Sequence, residues 1–344
     1  MARIYFFLCL FVAAAVVAET KITSVSPPSG PVTGGTTVTI RGSGFAECTV
    51  IGCFPVAVAF GPVPAASVTL VDSSTIQAVT PPSFPGTIDV GVSTSSGATR
   101  LQNAFTYIGE VTDAFERILL PIFTPPVSGA FGSQFYTFFS IWNTAGASIP
   151  VFAFAPFGCS FITTCPPPPP DPSPITLKAR EGAPAYLFNF DGDPGRLLFI
   201  PKGAFDRVAA SLRISDLSRS KESFGTRIPI VPEHDFRNDF LALLDVPMRS
   251  GFRNTLRIYS LDPQSSVHIR VIRYDSTKIY SESDITLRDP VDIFHPGYAQ
   301  LSDFGNVPPD SVRIEIESRS GKRIWAFVSV TNNETQHITV ATPH

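Results

Sequence analysis

Short stretches that alternate apolar and polar residues run along the chain, and almost nothing repeats at helical spacing. In "TTVTIRG" (36–42), Val38 and Ile40 share one face while Thr37, Thr39 and Arg41 share the other, which predicts a strand with one buried side. "SVTLVD" (67–72), "STIQAVTPP" (74–82), "TIDVGVST" (87–94) and "NAFTYI" (103–108) follow at turn-punctuated intervals, the spacing of a β-sandwich. Glycines flank the first strand where the chain must bend through positive φ.

Beyond residue 110 the pattern repeats itself. "FYTFFSIWNTAGASIPVFAF" (135–154) aligns without a gap on "FRNTLRIYSLDPQSSVHIRV" (252–271), so that Ile141 meets Ile258 and Trp142 meets Tyr259. "ITL" recurs at 175–177 and 285–287, and "SLRISDLSRS" (211–220) matches "SVRIEIESRS" (311–320) at six of ten positions. We expect two tandem antiparallel sandwiches, at 111–225 and 226–344, with one larger sandwich as the alternative. Thirty-three prolines and twenty-four glycines support an all-β chain of short strands and many turns.

The N-terminal "MARIYFFLCLFVAAAVVA" carries one Arg, an apolar run and small residues at its end, the pattern of a signal peptide over 1–18. Its apolar run of about 14 residues is shorter than the roughly 20 that span a bilayer, and no second such run follows. The expectation is export to the surface or the medium without a transmembrane segment. Roughly 325 residues remain, enough for two or three domains. A net charge of −3 gives no electrostatic basis for nucleic acid as a partner. After the signal, four cysteines form two close pairs, Cys48 with Cys53 and Cys159 with Cys165; in an oxidising compartment they read as disulfides, with three connectivities open.

"ITSVSPPSGPVTGGTTVTIRGSGF" (22–45), "VTPPSFPGTIDVGVST" (79–94) and the closing "FTY" (105–107) resemble the IPT/TIG family of immunoglobulin-like domains. Pro27, Gly30, Gly34, Gly35, Val38, Ile40, Gly42, Gly44 and Phe45 fall on the opening motif, and Pro81, Pro82 and Gly86 on a later turn. The insert "AECTVIGCF" (46–54) departs from it. The resemblance implies an Ig-like interaction or spacer domain over 20–109, without catalytic residues. The region after it resembles that of secreted bacterial proteins carrying such a domain, which brings no known activity.

Candidate chemistry is sparse. No Gly-x-Ser-x-Gly elbow is present, and the five histidines are scattered with no i, i+4 pair. His234, with Asp235 and Asp239, forms the densest polar cluster and reads as a loop of solvated charges. Asp191 and Asp193 in "NFDGDPGR" are spaced like calcium ligands, but the rest of an EF-hand set is missing and Asp-Gly is first a turn signal. "SRS" with neighbouring Lys221, or with Lys322 and Arg323, suits an anion or a polar hairpin. The five-proline run within 159–174 reads as a stiff surface loop. No cofactor is expected. Trp142 and Tyr259 carry two readings, core or interdomain packing and a ligand platform. The expected function is a secreted or cell-surface, non-enzymatic protein of Ig-like modules for interaction, adhesion or structural presentation, with an extracellular protein or glycan as partner. A carbohydrate-binding accessory protein is the alternative and a secreted hydrolase the third.

Overall fold

The computed structural model describes residues 19–45, 48–49, 52–53, 55–122, 126–153, 174–183, 194–221 and 224–343, with backbone alone at 48–49 and 52–53. The signal-peptide stretch 1–18, Cys159, Cys165, Asp191 and Asp193 lie outside the described residues. The chain divides into two compact units, one ending at Ala114 and the other running from Phe115 to His344.

The first unit contains β1 (Lys21–Ser26), β2 (Ser29–Pro31), β3 (Thr37–Ser43), β4 (Cys48–Thr49), β5 (Gly52–Cys53), β6 (Ala57–Phe60), β7 (Val63–Pro64), β8 (Ser67–Asp72), β9 (Thr75–Val79), β10 (Gly86–Thr94) and β11 (Gly97–Ile108). They form a four-stranded sheet, β1-β3-β9-β8, a five-stranded sheet, β2-β11-β10-β6-β7, and the ribbon β4-β5. Val38, Ile40, Phe60 and Phe105 are fully buried in this unit. Two glycines of the opening motif are needed for different reasons. Gly34 sits at φ 74° against the backbone of Pro81, whereas a Cβ on Gly42 would lie 1.9 Å from the Lys21 carbonyl oxygen. The buried Tyr107 hydroxyl donates to the Pro81 carbonyl at 2.8 Å, joining the closing motif to the later turn.

The second unit opens with β12 (Phe115–Leu120), β13 (Val127–Ser128), β14 (Gln134–Asn143), β15 (Ile149–Phe152), β16 (Pro174–Leu177), β17 (Gly182–Ala183), β18 (Arg196–Pro201), β19 (Val208–Asp216), β20 (Thr226–Ile228) and β21 (Val231–Pro232). Its sheets are β16-β15-β18-β12-β21 and β13-β14-β19-β20, with β17 also paired to β14. Then come β22 (Phe240–Pro247), β23 (Phe252–Ser260), β24 (Ser266–Arg273), β25 (Ile279–Thr286), β26 (Gly297–Leu301), β27 (Ser311–Ser318), β28 (Ile324–Asn332) and β29 (Ile338–Ala341). They build the sheets β22-β27-β24-β25 and β26-β23-β28-β29.

These two sandwiches correspond strand for strand. The order β16-β15-β18-β12 becomes β25-β24-β27-β22, and the neighbours β17-β14-β19-β20 become β26-β23-β28-β29. Two of the three sequence blocks obey this map, because 135–154 and 252–271 cover β14–β15 and β23–β24, and the "ITL" pairs fall on β16 and at the end of β25. The third does not. Residues 211–220 begin on β19, which pairs with β14, whereas 311–320 begin on β27, which pairs with β24. Both strands bury alternate aliphatic residues, but five of the six identities are Ser or Arg, and they do not mark equivalent positions in the two sandwiches. The expected boundary at Gly225 also moves. β20 pairs with β19 and β21 with β12, burying Ile228 and Val231, so the first sandwich extends to Pro232.

In the second sandwich Leu241, Leu256, Ile258, Val267, Ile314 and Val328 form part of one buried cluster between the sheets. Each such side chain contributes about 1.5–3 kcal/mol on leaving water. β28 differs from its neighbours in being buried on both faces through "IWAFVSV" (324–330).

Candidate functional site

The gapless repeat places four outward-facing residues of β14 on four of β23: Tyr136 on Arg253, Phe138 on Thr255, Ser140 on Arg257 and Trp142 on Tyr259. In both strands the alternate residues point inward, among them Phe139 and Ile141 in one and Leu256 and Ile258 in the other. The pair singled out from sequence thus occupies equivalent backbone positions. Their environments are opposite.

Trp142 is 49% exposed. Its strand neighbours are small, Ala209 on β19 and Gly182 on β17. A Cβ on Gly182 would lie 3.1 Å from the Trp142 Cε3, so the glycine lets the indole lie over the edge strand. Further along, Phe138 is exposed and meets Tyr136 edge to face at 4.8 Å. Arg213, cross-strand from Phe138, places its guanidinium 4.3 Å from that ring centroid and 3.9 Å from that of Phe224. It also donates to Ser215 Oγ and the Phe224 carbonyl. The outcome is an open sheet face bearing Tyr136, Phe138 and Trp142 along one strand.

Tyr259 is fully buried, and this corrects the platform reading for that residue. Its ring stacks on Phe327 at 6.4 Å between centroids, beside Trp325 and Tyr298. The hydroxyl lies between the carbonyl oxygens of Pro121 and Pro194, at 2.8 Å from the latter, and donates to one at a time. Both prolines belong to the first sandwich, which covers this half of the sheet. Burial pushes the phenol well above its ordinary range, so it remains a donor. Strand alternation revealed the outward face without revealing its cover. The continuous apolar run "IWAFV" (324–328), expected of a strand buried on both sides, was the available signal.

The other candidates separate in the same way. Cys48 and Cys53 stand directly opposite each other in the β4-β5 ribbon. Paired backbone positions of this kind lie about 4.5–5.5 Å apart, within disulfide reach. Among the described residues no group of three His, Cys, Asp or Glu is placed to hold a metal. His234 is exposed and contacts Glu116 at 2.8 Å. In the "SRS" segments Arg219 is held by Asp216 at 2.6 Å and Arg319 by Glu317 at 3.0 Å, while Arg323 contacts Glu233 at 2.7 Å. Carboxylates thus pair with these three arginines.

The acid that matters beside His234 is Glu233, which sequence reasoning passed over. It accepts two hydrogen bonds from Arg117 of β12, at 2.7 and 2.8 Å, and one from Arg323 at 2.7 Å. Burial alone would raise this carboxyl, but Arg117 and then Arg323 outweigh it and hold it down to about 2. The cluster ties β12 to the approach to β28, and so one sandwich to the other.

No helix among the described residues is long and apolar enough to cross a membrane. No curated protein matches the chain. Among solved structures, SGBP-B from a complex xyloglucan utilization locus in Bacteroides uniformis is 12% identical, covering 88% of this chain and 72% of that one at a TM-score of 0.20. The surface glycan-binding protein PbSGBP-B from Prevotella bryantii is 10% identical, with coverage of 89% and 98% and a TM-score of 0.21. Yersinia pseudotuberculosis InvD is 10% identical, with 94% and 97% covered and a TM-score of 0.18. Superpositions this loose carry no argument about ligand or role. Residues 20–107, by contrast, match the model of the IPT/TIG domain, the family that the opening motif resembles.

Proposed function

We propose that this is a non-enzymatic binding protein, exported to the cell surface or the medium, whose β-sandwich modules present the Trp142 face to a carbohydrate chain. One observation carries the reading: at equivalent positions of one duplicated fold, Tyr259 is fully buried while Trp142 stands 49% exposed. Fully burying a large apolar side chain contributes about 1.5–3 kcal/mol, a gain that a half-exposed indole leaves available to a ligand. Phe138 and Tyr136, four and six residues before it in β14, share its face, giving an aromatic row roughly 20 Å long from Tyr136 to Trp142 at strand rise. Flat rings on a flat sheet suit the C–H faces of sugar rings. Arg213, held over Phe138, adds donors for hydroxyl groups.

Binding of the full exported chain to a panel of immobilised polysaccharides, compared with Trp142→Ala and Phe138→Ala, tests this. Loss of binding in variants that melt like the parent supports it. Unchanged binding in both leaves the chain as a spacer or adhesive scaffold, the role that the IPT/TIG domain alone suggests.

A further inference from the structure

The polar half of the β23 face lines a second concavity. Next to the covered aromatic residues, Arg253, Thr255, Arg257, Gln300, Ser329 and Thr331 line a cleft of about 510 Å³ between the two sandwiches of the second unit. Apolar residues of the opposite wall include Phe135 and Ile214 of the first sandwich. This volume lies within the usual range of ligand sites.

Its two arginines are oriented without being neutralised. Arg253 donates to Asn333 Oδ1 at 2.6 Å and Gln336 Oε1 at 2.8 Å, and Arg257 donates to Ser329 Oγ at 2.8 Å. These acceptors are uncharged, and among the described residues neither guanidinium has a carboxylate within ion-pair distance. That sets them apart from Arg117, Arg219, Arg319 and Arg323, each paired with an acid. Arg257 also opposes the effect of burial on the neighbouring Tyr298, whose phenol is nonetheless pushed up.

We propose that this cleft binds an acidic oligosaccharide, with uronate carboxylates on Arg253 and Arg257 and sugar hydroxyls on the Thr, Ser and Gln side chains between and beside them. The two arginines start roughly 14 Å apart at strand rise, which suits a chain carrying repeated charge rather than a single small anion. Guanidinium forks match carboxylates and form charge-assisted hydrogen bonds. A hydroxyl-lined floor facing an apolar wall complements a sugar ring with polar edges and C–H faces. An acidic peptide fits less well. β23, which carries both arginines, lies inside its sheet between β26 and β28, so it offers no free edge of its own for peptide backbone.

The test is calorimetric titration of the full exported chain with trigalacturonate, its carboxyl-reduced counterpart, a glutamate-rich peptide and inorganic phosphate. Trigalacturonate should bind, and the reduced sugar at least about tenfold more weakly, since a hydrogen bond to a charged group contributes about 1.5–3 kcal/mol. Arg253→Gln and Arg257→Gln should each weaken binding by a similar factor, and added salt should weaken it further. Trp142→Ala should leave it unchanged, which separates this cleft from the aromatic face. Equal affinity for the reduced sugar, the peptide or phosphate overturns the proposal, as does parental binding by both arginine variants. Should those variants fail to fold, Gln300→Ala and Thr331→Val probe the same floor, and unaltered binding in both overturns it equally.

Discussion

The outward row of β14 reads Tyr136, Phe138, Ser140, Trp142, and that of β23 reads Arg253, Thr255, Arg257, Tyr259. Backbone, pairing and inward residues correspond, yet one row is aromatic and open while the other is cationic and half covered. The inward residues answer to the sandwich, which is the same in both copies. The outward residues answer to whatever lies across from them, and only β23 has the other copy there. A duplicated fold therefore separates what the core requires from what the surroundings require.

The sharpest way to break this contrast is to truncate its buried member. Tyr259→Ala should lower stability by about 3–5 kcal/mol, the cost of emptying the site of a large buried aromatic, measured by denaturant unfolding. A loss within the scatter of surface substitutions would mean that the cover over β23 is not a packed interface. Tyr259→Phe should cost only about 1–2 kcal/mol, since it removes one donor from two carbonyl oxygens.

The link between the copies comes next. Glu233→Gln should cost about 2–3 kcal/mol at neutral pH, below the usual figure for breaking a buried pair because Arg323 is partly exposed. The carboxyl is depressed from 4.5 to about 2, so its contribution is complete above pH 4.5 and is lost as pH falls toward 2. In the Gln variant the stability–pH curve should be flatter across that window. Retention of the parental slope would assign the acid sensitivity to other groups.

Smaller effects sharpen the open side. Trp142→Ala should change stability by no more than about 0.5 kcal/mol, as ordinary surface substitutions do, while abolishing capture of the carbohydrate. Removing residues 19–110 should alter neither face, because the chain divides at Ala114; a shift in either melting or binding would show that the two units depend on each other.

Much of this was legible in the residues. Alternation in "TTVTIRG" put Val38 and Ile40 inside, where both are fully buried, and the glycines of that motif mark real bends and close approaches. The gapless block gave the β14–β23 equivalence before any strand pairing was known. What escaped was everything decided between elements. Period two tells which residues share a face but not which face is covered, so Trp142 and Tyr259 looked alike. Nor does it show that β20 and β21 return to the first sandwich, so Gly225 looked like a boundary. Glu233 was hidden for the same reason, because its two arginine partners are 116 and 90 positions away.

The way Pro121 and Pro194 of one copy seat against Tyr259 of the next has a geometric corollary. A contact between the loop end of one copy and the sheet face of its successor is head-to-tail, and such contacts form rings only when the rotation between copies closes. Two copies in a line make one junction. Of the two equivalent faces, on β14 and β23, that junction takes the second, and the one left over carries Trp142.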